Sequence, residues 1–235
     1  MEERLFNWAC PALEHFVHAR LHRTGRNARA ASAAENEAYG GFLKMNWAKT
    51  VECLSECLAG LQIFDDTGQL VDVEIGFGRL CRISSVLKER GGTIFLVGNG
   101  ASASMASHVA ADLAKNAHIR TEVFSDLALI TAVANDISYD EVFAEPLRRR
   151  MQPGDMLVCI SSSGNSPNVL NAAAEARVLG GDVITLSAMD TGNKLRSSGG
   201  LNFYIPGDTY GLAESAHAAV LHHWIDTMVE GCASS

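Results

Sequence analysis

No stretch of the 235-residue chain approaches the eighteen or so consecutive apolar residues of a membrane span, and no signal-peptide pattern opens it. Both absences favour a cytoplasmic protein. Excess positive charge is missing as well. Lys and Arg number 19 against 27 Asp and Glu, for a formal net charge of -8. A chain without a basic surface is a poor default partner for nucleic acid. Metal-finger cysteine spacing is also absent. Cys10, Cys53, Cys57, Cys81, Cys159 and Cys232 are scattered, and the four-residue step from Cys53 to Cys57 fits one helix face. Free thiols in a reducing compartment follow from that pattern.

The remaining composition, 47% apolar and 20% charged, is that of a folded soluble protein. Its length allows one good-sized domain, or one domain with an extension. Residues 1–44 read as a loosely held N-terminal extension, or as upstream sequence with Met45 as the natural start. Acidic Glu2, Glu3 and Glu14 argue against a transit peptide. Residues 45–235 read as the domain proper, led by two helices between Trp47 and Arg90. Phe64–Gly68 is the expected turn between them. The second helix spans Val71 to Val86 and is weakened by Gly76 and Gly78.

From Gly91 onward, strand and helix patterns alternate. Strands are expected at Thr93–Val97, Glu122–Phe124, Met156–Ile160, Val183–Leu186 and Leu201–Ile205. Helices are expected at Ser102–Asn116, Leu127–Ala134, Glu141–Arg150, Asn168–Leu179 and from about Leu212 to Val229. This alternation predicts an α/β fold, a parallel sheet with helices on both faces. Ligands of such sheets bind beyond the carboxyl ends of the strands.

Two strand ends carry the chemistry. Thr93–Val97 stops at Gly98-Asn99-Gly100, and a helix follows with Ser102 in its first turn. Unpaired N–H groups and small residues at such a turn suit a phosphate. His108 and Asp112 lie four residues apart on that helix and share a face. On this stretch alone, an ordinary βα turn with a surface His and Asp remains the alternative. Met156–Ile160 repeats the design. It runs into Ser161-Ser162-Ser163-Gly164-Asn165-Ser166-Pro167, with Ser suited to a helix cap and Pro to its first turn. Four hydroxyls around a glycine form a neutral hydrogen-bonding cradle for a phosphate.

GNGAS at Gly98–Ser102 and SSSGNSPN at Ser161–Asn168 resemble the two signatures of the sugar isomerase (SIS) domains. Within them the chain is most similar to the phosphoheptose isomerases. The helix carrying His108 and Asp112 resembles that family's GNGGS…H…E helix. Asn135-Asp136 resembles its ND segment. AESAHAAVLHH resembles its Q-E-x-H…H helix, with Glu214 at the Gln, His217 at the first His and His222 at the last. The resemblance implies a flavodoxin-like SIS fold and a homotetramer with active sites at subunit interfaces. It implies zinc held by His108, Asp112, Glu214 and His222, and proton transfer by Asp112 and His222. It implies phosphosugar contacts from Asn99, Gly100, Ser102, Asp136, Ser161, Ser162, Ser163 and Ser166. The chain departs from the family at four positions: Asp112 for Glu, Glu214 for Gln, Asn116 for an Arg and Gly211 for an Asp.

The expected activity is therefore aldose–ketose isomerisation of a phosphosugar such as sedoheptulose 7-phosphate. A non-catalytic SIS module that senses a phosphosugar or binds a protein is the alternative. SIS proteins resembling the initiator-associating protein DiaA are of that kind. They have lost the last His and altered the serine loop, and this chain keeps both.

Overall fold

The β-branched and apolar runs of the sequence form the middle of one seven-stranded sheet. The computed structural model describes residues 46–233, so the readings made for residues 1–44 lie outside the described residues. The sheet belongs wholly to the compact unit Val51–Ser235. Its strands are β1 (Gln62–Asp65), β2 (Leu70–Val71), β3 (Thr93–Gly98), β4 (Arg120–Val123), β5 (Met156–Ser161), β6 (Asp182–Ala188) and β7 (Leu201–Ile205). They lie in the order β2-β1-β7-β6-β5-β3-β4. The five strands from β3 to β7 pair in parallel, and β1 joins antiparallel to both β2 and β7.

Successive strand residues point to opposite faces, and both faces are apolar. Ile94, Leu96, Val158, Ile160, Leu186 and Phe203 belong to one core, together with Leu113 and Trp224. Phe95, Val97, Leu157, Cys159 and Val183 belong to the other, together with Leu147, Val169 and Ala173. The first core is covered by α2 (Val73–Glu89), α3 (Ala101–Asn116) and α7 (Tyr210–Ala233). The second is covered by α5 (Ala144–Arg150) and α6 (Pro167–Val178). The remaining helices are α1 (Trp47–Ala59) and α4 (Leu127–Asp136). Cys53, Cys57, Cys81 and Cys159 are free thiols. Among the described residues, no helix is long and apolar enough to cross a membrane.

The expected pair of leading helices needs one correction. Residues 62–71 form the β1–β2 hairpin, and α2 begins only at Val73. Asp65 closes the hairpin turn: its Oδ1 accepts from the Thr67 N–H and hydroxyl and from the Gln69 N–H. These bonds hold the Asp65 carboxyl below its usual range, the Thr67 hydroxyl contributing most. Asp72 then caps α2, accepting from the Glu74 and Ile75 N–H groups. A four-residue strand and a two-residue strand carry too little periodicity to stand out from the helix beside them. The segment expected as one helix over Glu141–Arg150 also differs. A 3-10 turn at Tyr139–Glu141 precedes α5, which starts at Ala144.

The two glycines of α2 separate on inspection. A Cβ at Gly76 would stand 2.5 Å from Ile63 Cδ1, so the missing side chain lets β1 rest on the helix. Gly78 has nothing within 4 Å of that position. Gly76→Ala is expected to destabilise by about 1–3 kcal/mol through overpacking. Gly78→Ala is expected to stabilise by about 0.5–1 kcal/mol through helix propensity. Urea unfolding of both variants checks this, and equal shifts would contradict the packing of Ile63 on α2.

Candidate active site

Two neighbouring strands deliver their loops to one place. β3 and β5 pair in register up to Gly98 and Ile160. Gly98 has no room for a side chain, because a Cβ there would lie 2.7 Å from Ser102 Cβ and 2.9 Å from the Ile160 carbonyl oxygen. Gly100, at the cap of α3, takes φ 56°, a conformation that favours glycine. No side chain caps α3 or α6. Ser166 holds the cap position of α6, yet its hydroxyl lies 3.3 Å from Ser161 Oγ. Two helix N-termini thus end at the same cavity with no side chain capping either.

That cavity has a volume of about 150 Å³, room for a few waters or one anionic group. Asn99, Ser102, Ser161, Ser162, Ser163 and Ser166 line it, with Ile160 at the β5 end. Tyr210 and Glu214, from the start of α7, complete the wall. Ser162 Oγ is buried and has no hydrogen-bond partner, so its capacity is left for whatever enters. The Glu214 carboxylate is the one lining group that opposes an anion.

Farther along α3, a second group forms. α3 packs against α7. His108 Nε2 lies 3.3 Å from Asp112 Oδ2, and the His108 and His222 rings stand 5.3 Å apart. One donor atom from each of His108, Asp112 and His222 lies within 4.8 Å of the others. Two imidazoles and a carboxylate are donors that suit zinc. Glu214 lies outside this group and faces the serine cavity instead. His223 makes an edge contact with Phe77 of α2, which leaves His222 as the histidine turned to His108.

Asp136 and Gly100 are exposed and do not line the cavity. Asp136 accepts from the Asn135 side chain. Three residues that the sequence did not mark as site residues touch the cavity or brace it. Tyr210 lines it; Tyr139 donates its hydroxyl to Asn99 Oδ1 at 3.2 Å; Asn168 pairs with Asn99. Asn168 sits in the SSSGNSPN motif, where it reads as a helix start. Tyr139 follows the ND segment closely, and Tyr210 carries no sequence signal. A larger cavity of about 440 Å³ opens at the opposite end of the sheet, between Asp65, Arg79, Arg90 and Asp182. It holds no residue expected in the site, and its acidic and basic side chains balance.

The SIS domain family matches residues 80–188. A phosphoheptose isomerase of Helicobacter pylori is 36% identical over 140 residues, covering 57% of this chain and 72% of that protein. One from Mycobacterium bovis is 37% identical over 138 residues, covering 56% and 70%. The chain belongs to the phosphoheptose isomerase family of SIS-domain enzymes. The structure of phosphoheptose isomerase GmhA from Neisseria gonorrhoeae superposes with a TM-score of 0.66 at 25% identity. That superposition covers 83% of this chain and 99% of that one. The flavodoxin-like SIS fold expected from the two signatures is thereby borne out.

His217, the family's first His on this helix, takes no part in either group. It is fully buried, and neither ring nitrogen has a hydrogen-bond partner. Burial pushes its imidazole down to about 4; the Ser187 backbone, near but outside hydrogen-bond geometry, opposes the shift. An unfolded imidazole binds its proton near pH 6.5. The unfolded state therefore holds the extra proton between about pH 6.5 and 4, and stability falls as pH is lowered through that window. His217→Leu is expected to remove roughly 2 kcal/mol of the loss between pH 7 and pH 5. Urea midpoints of wild type and variant at the two pH values check this, and parallel losses would contradict it.

Proposed function

We propose that the chain interconverts sedoheptulose 7-phosphate, or a close analogue, and D-glycero-D-manno-heptose 7-phosphate. The observation that carries this reading is the placement of the two groups on shared helices. Ser102 and Glu214 stand at the starts of α3 and α7, and His108, Asp112 and His222 lie farther along the same helices. Six residues separate Ser102 from His108, about 9 Å of helix rise. A sugar anchored by its phosphate at the serines reaches toward the imidazoles and carboxylate with its other end.

Ser102, Ser161, Ser163 and Ser166 donate hydrogen bonds to the phosphate, with two helix N-termini behind them. That anchoring positions the reacting carbons. One of Asp112 and His222 takes the proton from C1 of the ketose while the other protonates the C2 oxygen, giving an enediol. Returning a proton to C2 and removing the one on the C1 oxygen completes the aldose. His108, Asp112 and His222 would hold zinc, with Glu214 as the fourth ligand in the family's pattern. Bound zinc supplies a Lewis acid for the carbonyl oxygen. Asp112 is one methylene shorter than the family's Glu, and Glu214 adds a charge where the family has an amide. Asn116 and Gly211 replace charged groups of the family, which is why an analogue of the heptose stands beside it. Cytoplasmic location and a homotetramer with sites at its interfaces belong to the same reading. The exposed apolar side chains of Val51, Leu58, Ile75 and Val86 support association.

A non-catalytic phosphosugar sensor would share the serine cavity and have no need of the His–Asp–His group.

Kinetics on six- and seven-carbon sugar phosphates test the enzyme. Ser161→Ala and Ser163→Ala are expected to raise KM about tenfold or more, each losing a hydrogen bond to an anion. About one metal ion per chain is expected by elemental analysis, lost in His108→Ala and His222→Ala. Asp112→Asn is expected to abolish turnover; loss of the metal with it makes Asp112 a ligand, and its retention makes it the base. Wild-type protein without metal, and indifferent to chelators, would overturn the zinc assignment.

A further inference from the structure

Beyond the residues that line the serine cavity, we infer that Asn168 is a positioning residue. Its amide pairs with that of Asn99 and fixes the distance between the two phosphate loops. This inference rests on reading the cavity as a phosphate site.

The two loops come from adjacent strands, but the β3–β5 ladder stops at Gly98 and Ile160. Past that point the chain turns away into α3 on one side and α6 on the other. Each helix packs in a different core layer, α3 in the first and α6 in the second. The loops are thus carried on opposite faces of the sheet, and nothing in the backbone ladder holds them at one spacing. The side-chain link is reciprocal. Asn99 Nδ2 donates to Asn168 Oδ1 at 2.9 Å, and Asn168 Nδ2 donates to Asn99 Oδ1 at 2.9 Å. Among the described residues, no other hydrogen bond joins residues 99–104 to residues 162–168.

Asn168 is 1% exposed and lies in the first turn of α6. Asn at a helix start often bonds to its own backbone, but this side chain crosses to the other loop. Asn99 lines the cavity, so the pair connects a buried helix residue directly to the wall that meets the ligand. The Tyr139 hydroxyl adds a second donor to Asn99 Oδ1. With that oxygen bonded twice and one of its two N–H groups bonded to Asn168, Asn99 keeps one N–H for the cavity. The orientation of that donor is set by two residues outside the wall.

An anion held between two loops depends on their spacing, because each hydroxyl must reach it at hydrogen-bond length. Removing Asn168 therefore acts on all the phosphate donors together, whereas removing one serine acts on one. The Asn99 and Asn168 amides work as a unit, so their effects on phosphate binding are expected not to multiply.

The test is calorimetric titration of the full-length chain with inorganic phosphate, repeated for variants. Asn168→Ala and the isosteric Asn168→Asp are expected to weaken phosphate about tenfold. Combining Asn168→Ala with Asn99→Ala is expected to weaken it little beyond Asn99→Ala alone, which already breaks the pair. Asn168→Ala is also expected to raise KM for the sugar phosphate more than it lowers kcat. Tyr139→Phe, at an exposed position, keeps the test open if the buried variants do not fold, and is expected to weaken phosphate about threefold. Wild-type affinity in Asn168→Asp and Tyr139→Phe would overturn the inference while leaving the phosphate site intact. So would multiplicative losses in the double variant. A wild-type chain that binds no phosphate, or binds it equally well after Ser161→Ala, would overturn the phosphate site itself and the inference with it.

Discussion

The parallel pairing of β3 with β5 is the constraint on which the site depends. Those two strands lie inside the sheet, each flanked by strands on both sides and by apolar cores on both faces. Their register brings Gly98 beside Ile160, and so brings two helix N-termini to one small cavity. Small residues are required at that junction, since the β3 backbone, Ser102 and the Ile160 carbonyl meet with no space for a Cβ. Burial of the surrounding strands makes the register costly to change, because a one-residue slip would turn each apolar side chain to the wrong layer.

The same packing separates two kinds of chemistry along shared helices. The near end, at the starts of α3 and α7, is a hydroxyl-rich cradle with no lysine or arginine in its wall. Neutral donors and helix ends suit an anion there without a fixed positive charge. Farther along, α3 and α7 bring together His108, Asp112 and His222, the groups suited to a cation or to proton transfer. Glu214 stands at the cradle and adds a charge that disfavours an anion unless a cation stands near it. The family's amide at that position carries no such charge, which makes Glu214 the residue most in need of a metal partner.

Much of this was legible in the sequence, and the reasons differ by element. β3, β5, β6 and β7 are buried runs, save Thr93 and Asp182 at the starts of β3 and β6, and each was found within two residues of its ends. The β1–β2 hairpin was missed. Its strands are short, and Gly76, which reads as a weakness in a helix, is the contact that seats Ile63. The serine loop and the His–Asp step were visible because both are local in sequence. The reciprocal amide pair was not, since Asn99 and Asn168 are 69 residues apart and either reads as an ordinary turn or cap residue. Glu214 was placed with the imidazoles by the family resemblance, where it stands at the Gln position. Its side chain lines the serine cavity, outside the group that His108, Asp112 and His222 form.

Proton exchange in deuterated water tests the proposed isomerisation most directly. Sedoheptulose 7-phosphate incubated with the protein is followed by nuclear magnetic resonance. Deuterium at C1 of the ketose and at C2 of a newly formed aldose is expected, because both carbons pass through one enediol. No exchange with any six- or seven-carbon sugar phosphate, by a metal-loaded protein that still binds them, would contradict the isomerase and leave a sensor.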